Sequence, residues 1–279
     1  MRTPDFYLSH DYYRTDYIIA IYTIRCGNVS NKITVRIFTL TVLWQYSILY
    51  RETYMRIHKT LINKLPGTPR SFKPKTPIIY QGEAPRNGYY ITSGTVKAYT
   101  LQSNGEEQIV AFFGPGDFFP LPWLFEKISS SIYYHESLES CQAISVTRQD
   151  IKEYVWKDEE VKDALLHKLV EDQAAYLMRI TALEQSRAVE KILFTLYYLL
   201  YQFGTQTSDE NEYIIETKLT HATIAALVGL TRETTATELN KLKKKEVLRY
   251  SKKQYTINKK RLEKAIGEDG FTELIENAT

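Results

Sequence analysis

The residues best equipped for chemistry lie between Lys218 and Ile257, and their pattern suits the reading of a duplex rather than the breaking of a bond. Thr220 is placed to cap a helix over His221–Val228 that stops at Gly229, and Thr231 caps a second helix running from Arg232 to Lys245. Small Ala225 lets two such helices approach, Gly229 supplies a left-handed turn, and Ile224, Val228, Leu230, Leu239 and Leu242 fill the angle between them. The spacing predicts a helix-turn-helix. Arg232, Glu233, Thr234 and Thr237 then project from the start of the second helix, the end that enters a major groove. The blander reading is two packed helices without a DNA role.

Charge favours the first reading. After Arg232 the bases Lys241, Lys243, Lys244, Lys245, Arg249, Lys252, Lys253, Lys259, Lys260, Arg261 and Lys264 face only Glu233, Glu238, Glu246 and Glu263. Phosphates are the expected partner. Two short β runs, Val247–Tyr250 and Gln254–Ile257, bracket Ser251, Lys252 and Lys253 as a hairpin, the wing of a winged helix. The candidate DNA-binding residues are therefore Thr220, His221, Thr231, Arg232, Glu233, Thr234, Thr237, Lys241, Lys252 and Lys253.

Other elements must carry this unit. Ala188–Phe203 is apolar almost all round and ends at Gly204, so it reads as a core helix; Thr205–Asn211 reads as a polar loop and Tyr213–Ile215 as a short strand. From Asp158 to about Ser186 there is neither Pro nor Gly, and Val161, Leu165, Leu169, Tyr176, Leu177, Ile180 and Leu183 recur at helical spacing. Packing against its own barrel could use part of this stripe, but a helix of about seven turns outruns a small barrel, so a parallel coiled-coil dimer is the preferred explanation. From Pro77 to Val146, short runs rich in β-branched and aromatic residues (Ile78–Tyr80, Tyr89–Ile91, Thr95–Leu101, Gln108–Phe113, Cys141–Val146) alternate with Gly, Asn and Pro turns. This pattern predicts an antiparallel barrel or jelly roll, giving an α+β protein. His135 has no spaced partner there and is expected to be a surface or packed residue rather than a metal ligand.

The expected divisions are an extension of unknown role over 1–54, a barrel over 55–157, a long helix over 158–186, a winged helix-turn-helix over 187–267 and a tail over 268–279. Two cysteines in 279 residues, Cys26 and Cys141, exclude a CxxC zinc site and a cysteine-ligated iron–sulfur cluster within one chain. They fit a reducing cytoplasm. A net charge of +3 with 43% hydrophobic residues excludes collagenous, disordered and disulfide-scaffold classes. The apolar bursts Tyr17–Ile24 and Ile33–Leu49 fit strands or a broken helix equally; a membrane span there would bury Arg36 and Gln45, so no membrane partner is expected.

In order and motif the chain resembles the CRP/FNR superfamily of bacterial transcription regulators over roughly Pro77–Ile257. The resemblance rests on Gly94-Thr-Val-Lys-Ala-Tyr, on Gly105-Glu-Glu-Gln-Ile-Val-Ala-Phe-Phe-Gly-Pro-Gly116-Asp117-Phe118, and on Ile224-Ala-Ala-Leu-Val-Gly-Leu-Thr-Arg-Glu-Thr234. It implies a cyclic-nucleotide-binding-like barrel, a dimer helix and a winged helix-turn-helix. It also implies a homodimer on palindromic double-stranded DNA, contacts with RNA polymerase, and base reading by Arg232 on a guanine edge and Glu233 on a cytosine amino group. It implies no enzyme; a cupin-type enzyme would need a His–carboxylate cluster that the barrel sequence lacks. A protein-interaction module without specific DNA binding is the alternative.

Two departures matter. Thr237 stands where several members carry a further Arg, which leaves the half-site open. Cyclic-AMP binders place a Glu near Leu121 and an Arg-Ser or Arg-Thr pair near Ser131 and Ile132. Without that cation a cyclic phosphate lacks a counter-charge, so cyclic AMP is not expected and no cofactor is. Phe118, Phe119, Leu121, Trp123, Ser131, Ile132, Tyr133 and Tyr134 either fill the pocket, the favoured reading, or line a site for an apolar or aromatic effector. Cys141, in an apolar strand, reads as an inert thiol.

Overall fold

Residues 65–276, together with His58 and Ile62, are described by a computed structural model; for residue 164 and those after 267 only the backbone is described. The expectations for residues 1–54, Cys26 among them, lie outside the described residues.

Eight strands build the barrel: β1 (Thr68–Phe72), β2 (Pro77–Ile79), β3 (Gly88–Ser93), β4 (Val96–Leu101), β5 (Glu107–Phe113), β6 (Phe118–Phe119), β7 (Tyr134–Ser137) and β8 (Cys141–Val146). They form two antiparallel sheets, β1-β8-β3-β6 and β2-β7-β4-β5, in which Tyr90 faces Ile144 and Val96 faces Phe113. Ile79, Ile91, Val96, Phe119 and Cys141 meet between the sheets. Three of these strands go beyond the five predicted runs. β1 is an exposed edge strand holding Pro69, β6 is two residues long, and β7 (Tyr-His-Glu-Ser) turns its polar residues His135 and Ser137 inward, against the usual signal.

A short helix, α1 (Leu121–Leu124), follows β6, and α2 (Arg148–Asp150) leads into a π-helical turn over Ile151–Val155. Asp158 then caps α3 (Glu159–Glu184) by accepting from the Glu160 and Val161 amides, and α4 (Ala188–Phe203) folds back along it. Buried Ala175 and Ala182 are small enough for that approach. Gly204 ends α4 as expected, but with φ −78° rather than a left-handed angle. Its need is space, since a Cβ there would lie 2.3 Å from the Leu200 carbonyl oxygen.

The C-terminal unit adds β9 (Gly204–Gln206), β10 (Glu212–Ile215), α5 (His221–Val228), α6 (Arg232–Lys244), β11 (Leu248–Ser251), β12 (Gln254–Asn258) and α7 (Lys259–Glu276). Thr205 and Gln206, expected in a loop, pair with Tyr213 and Ile214 and complete the sheet β11-β12-β10-β9. Helix α7 runs into the segment expected as a tail. One core serves both halves: Tyr99, Ile109 and Phe112, on the outer face of the β4–β5 hairpin, join the cluster of α4, α5 and α6.

Candidate nucleic-acid interface

The helix-turn-helix is built by its caps. Thr220 Oγ1 accepts the Thr223 amide at 3.0 Å, Gly229 takes φ +68°, and Thr231 Oγ1 accepts the Thr234 amide at 3.2 Å. The Thr231 hydroxyl also donates to Thr234 Oγ1 at 3.0 Å. Three expected DNA residues, Thr220, Thr231 and Thr234, therefore spend their hydroxyls on starting the two helices. Thr235, Leu239 and Leu242 turn α6 inward, which leaves Arg232, Glu233 and Thr237 exposed on its outer side. Asn240 and Lys244 continue that exposed face. Sequence reasoning counted Lys244 among the basic residues but passed over Asn240, although its spacing from Glu233 and Thr237 is helical. Asn240 matters chemically, because an amide can pair with an adenine edge.

The basic residues are fewer than the sequence suggests. Lys241 pairs with Glu238 at 2.7 Å, Arg249 with Glu212 at 2.6 Å, and Arg261 with Glu246. Lys252 and Lys253 form the turn of the β11–β12 wing, both exposed, and the Lys253 carbonyl accepts the Leu219 amide at 2.8 Å. That bond holds the wing beside the start of α5. His221, the first residue of α5, rests on Tyr250 with ring centroids 4.7 Å apart. Partial burial, then the charges of Arg232 and Lys243, hold its pKa below the usual histidine value. Helix α6, the wing turn and His221 thus share one positive surface.

Seven of the eight expected pocket residues fall in different surroundings, and the eighth, Tyr133, is half-buried. Phe119 stacks inside the barrel between Tyr89 at 5.3 Å, His135 at 5.4 Å and Phe113 at 5.8 Å. Phe118 packs on Tyr90 at 4.6 Å, and Trp123 lies under the Arg148 guanidinium at 4.2 Å. Leu121 packs against the same cluster. Tyr134 is on the opposite, outer side, stacked on Tyr99 at 5.2 Å, while Ile132 faces solvent. Ser131, buried, donates its hydroxyl to the Tyr133 carbonyl at 2.7 Å. His135 is packed, 3% exposed, and burial pushes its pKa down to about 4. Cys141 is 1% exposed with its thiol pushed up to about 11 by burial, an inert group. No cluster of three or more metal-ligating side chains occurs among the described residues.

The α3 stripe divides, and one expected interface residue is corrected. Val161 is 5% exposed and packs on its own barrel beside Trp123 and Val155, and Leu165 is half-buried against the same cluster. Leu169, Tyr176, Leu177 and Ile180 are exposed, joined by Leu166 and Val170, which the expected stripe omitted; Leu183 is half-buried. Lys168 ties this helix to the barrel turn, its ammonium 2.7 Å from Asp117 Oδ1, while Asp117 Oδ2 accepts the Gly114 amide at 2.7 Å.

A jelly-roll barrel, a long helix with an unpartnered apolar face and a winged helix-turn-helix with a basic outer surface define a two-domain DNA-reading class of protein. Comparison with known families agrees. Residues 69–158 match the cyclic nucleotide-binding domain and residues 190–265 the Crp-like helix-turn-helix domain. The regulatory protein HlyX of Actinobacillus pleuropneumoniae is 26% identical over 186 residues, covering 66% of this chain and 76% of that one. The structure of FixK2 from Bradyrhizobium japonicum superposes with a TM-score of 0.59 at 23% identity, covering 71% of this chain and 96% of that one. TTHA1359, a transcriptional regulator of Thermus thermophilus, gives 0.55 at 23% identity, covering 72% and 98%. The chain belongs to the CRP/FNR family and is a transcription regulator of that type.

Proposed function

We propose that the protein works in the cytoplasm as a homodimer that binds a palindromic operator, one α6 helix per half-site, without cyclic AMP. The observation that carries this reading is the exposed row Arg232, Glu233, Thr237 on a capped helix, flanked by the wing lysines Lys252 and Lys253. Arg232 donates to a guanine edge, Glu233 accepts from a cytosine amino group, and the lysines hold the phosphates. Thr220, Thr231 and Thr234 fix the helix starts, and Lys241 contributes a weaker contact because Glu238 already faces it.

The exposed side of α3 forms the dimer seam, with Leu169, Tyr176, Leu177 and Ile180 meeting their counterparts in a second copy. The two reading helices then address half-sites about one DNA turn apart. The barrel is filled by its own aromatic residues and serves as a scaffold whose outer surface contacts RNA polymerase. The divisions 55–157, 158–186 and 187–267 describe its working parts.

Selection of bound duplexes from a random pool by the ligand-free protein, at two salt concentrations, tests the proposal. A palindrome recovered without added ligand is the expected result. Salt-sensitive binding with no enriched sequence contradicts the effector-free reading, and no binding at all contradicts the DNA reading.

A further inference from the structure

The junction of the barrel, α3 and the helix-turn-helix holds a cation that neither domain needs for its own fold. Arg179 lies on the inner face of α3 beside Met178 and Ala182 and is 5% exposed. Its Nη2 donates to the Leu227 carbonyl, in the last turn of α5, and to the Ile109 carbonyl of β5 at 3.3 Å. Nε and Nη1 are buried with no hydrogen-bond partner among the described residues. A half-satisfied buried guanidinium is a poor stabiliser, and an apolar side chain of similar length fills such a place at lower cost.

What the guanidinium supplies is position. The surrounding contact is chiefly apolar: Tyr99, Ile109 and Phe112 share a cluster with Leu196, Ile224 and Leu227, and Phe112 meets Phe203 edge-on at 6.1 Å. Apolar contact is non-directional and tolerates sliding. Hydrogen bonds to two fixed carbonyls do not, and these two belong to different domains. The Thr95 and Thr217 hydroxyls, 3.0 Å apart, add a second directional contact between barrel and C-terminal unit. Between α3 and α4 the chain leaves helical geometry at Gln185 and Arg187, with ψ 141° and 140°, which gives the C-terminal unit a pivot when those hydrogen bonds break.

We propose that Arg179 is a positioning residue for operator recognition: by tying α5 to α3 and β5 it fixes the separation and angle of the two reading helices in the dimer. The proposal rests on the dimeric, palindrome-reading function above. It assigns to Arg179 no contact with DNA. Its effect is on which spacing of half-sites is accepted, not on which bases are read.

The test uses full-length protein and duplexes carrying two copies of the selected half-site, with their separation changed one base pair at a time. Wild type is expected to favour one spacing over its neighbours by about tenfold. In Arg179→Met the preference for the half-site and the thermal midpoint are retained, while the spacing profile flattens to within about twofold. A methionine variant with the wild-type spacing profile overturns the proposal. Should that variant fail to fold, Arg179→Gln, whose amide is too short to reach both carbonyls, carries the same test, with a flat profile supporting the proposal and a wild-type profile overturning it. A wild-type protein without any half-site or spacing preference sinks the dimeric DNA reading first, and this proposal with it.

Discussion

Lys252 and Lys253 hold φ angles of 50° and 66°, a left-handed pair that a two-residue hairpin turn requires and that lysine adopts at a cost. Asn-Gly would serve the turn better, so two lysines there cost stability, as the phosphate contact proposed for them would require. Lys253→Gly is therefore expected to stabilise the fold by about 1 kcal/mol, read by thermal melting. It should also lower the dependence of log affinity on log salt by about 0.9, the amount that one fewer neutralised phosphate removes. A gain in stability with an unchanged salt slope would mean that Lys253 does not touch DNA. His135 is a second residue whose environment sets its behaviour. Burial in an aromatic stack holds its folded pKa near 4, below the ordinary 6.5, so the folded state favours neutral imidazole. The stability this contributes is present above pH 6.5 and is lost as pH falls toward 4. Between pH 7.5 and 4.5 the loss amounts to roughly 2–3 kcal/mol. Burial pushes the carboxyls of Glu171 and Asp172 the other way, up to about 7 and about 6, and this opposing contribution is common to wild type and a His135→Gln variant. The difference in melting between the two proteins at each pH isolates His135. It should shrink on acidification, and a difference independent of pH contradicts the assignment.

Elements differ in how openly the sequence declares them. Helices α5 and α6 are legible because local chemistry sets their limits: threonines at each start, and a left-handed glycine between them at φ +68°. Strand β7 is not, because His135 and Ser137 point inward and reverse the usual pattern. Ser137 is buried because its hydroxyl donates to the Lys73 carbonyl at 2.5 Å and accepts the Thr76 amide at 3.0 Å, partners more than sixty residues away. Helix α3 is legible as a helix but not in its faces. It carries two apolar surfaces, one against its own barrel and α4 (Val161, Leu165, Ala175, Met178, Ala182) and one exposed (Leu166, Leu169, Val170, Tyr176, Leu177, Ile180), and periodicity alone merges them. The two surfaces make different predictions. Leu177→Glu, at a position 58% exposed, should leave the melting of the fold nearly unchanged while shifting the protein from dimer to monomer in analytical ultracentrifugation. A Leu177→Glu protein that stays dimeric would place the interface elsewhere.

At the scale of the molecule, the near-neutral net charge of +3 conceals a segregation: the wing and reading helix present Arg232, Lys243, Lys244, Lys252 and Lys253 on one side of the C-terminal unit. That segregation is visible in the sequence, and the ion pairs that partly offset it are not. Arg249 and Glu212 are thirty-seven residues apart and meet only through strand pairing. The same holds for the shared core between the β4–β5 hairpin and α4, α5 and α6, in which Tyr99 and Ile109 pack with residues more than eighty positions later. Non-local packing of this kind is what links the barrel to the helix-turn-helix, and Arg179 and the Thr95–Thr217 hydroxyl pair are its directional parts. The proposed function depends above all on a C-terminal surface that would read sequence through Arg232 and hold the duplex through its lysines. Binding of wild type and Arg232→Ala to the selected site and to a scrambled duplex, across a salt series, tests that dependence most directly. The variant is expected to lose its preference for the site, a cost of about 1–3 kcal/mol, while its salt slope on scrambled DNA stays close to that of wild type. Equal weakening on every sequence would contradict this role, making Arg232 a phosphate contact rather than a reader of bases.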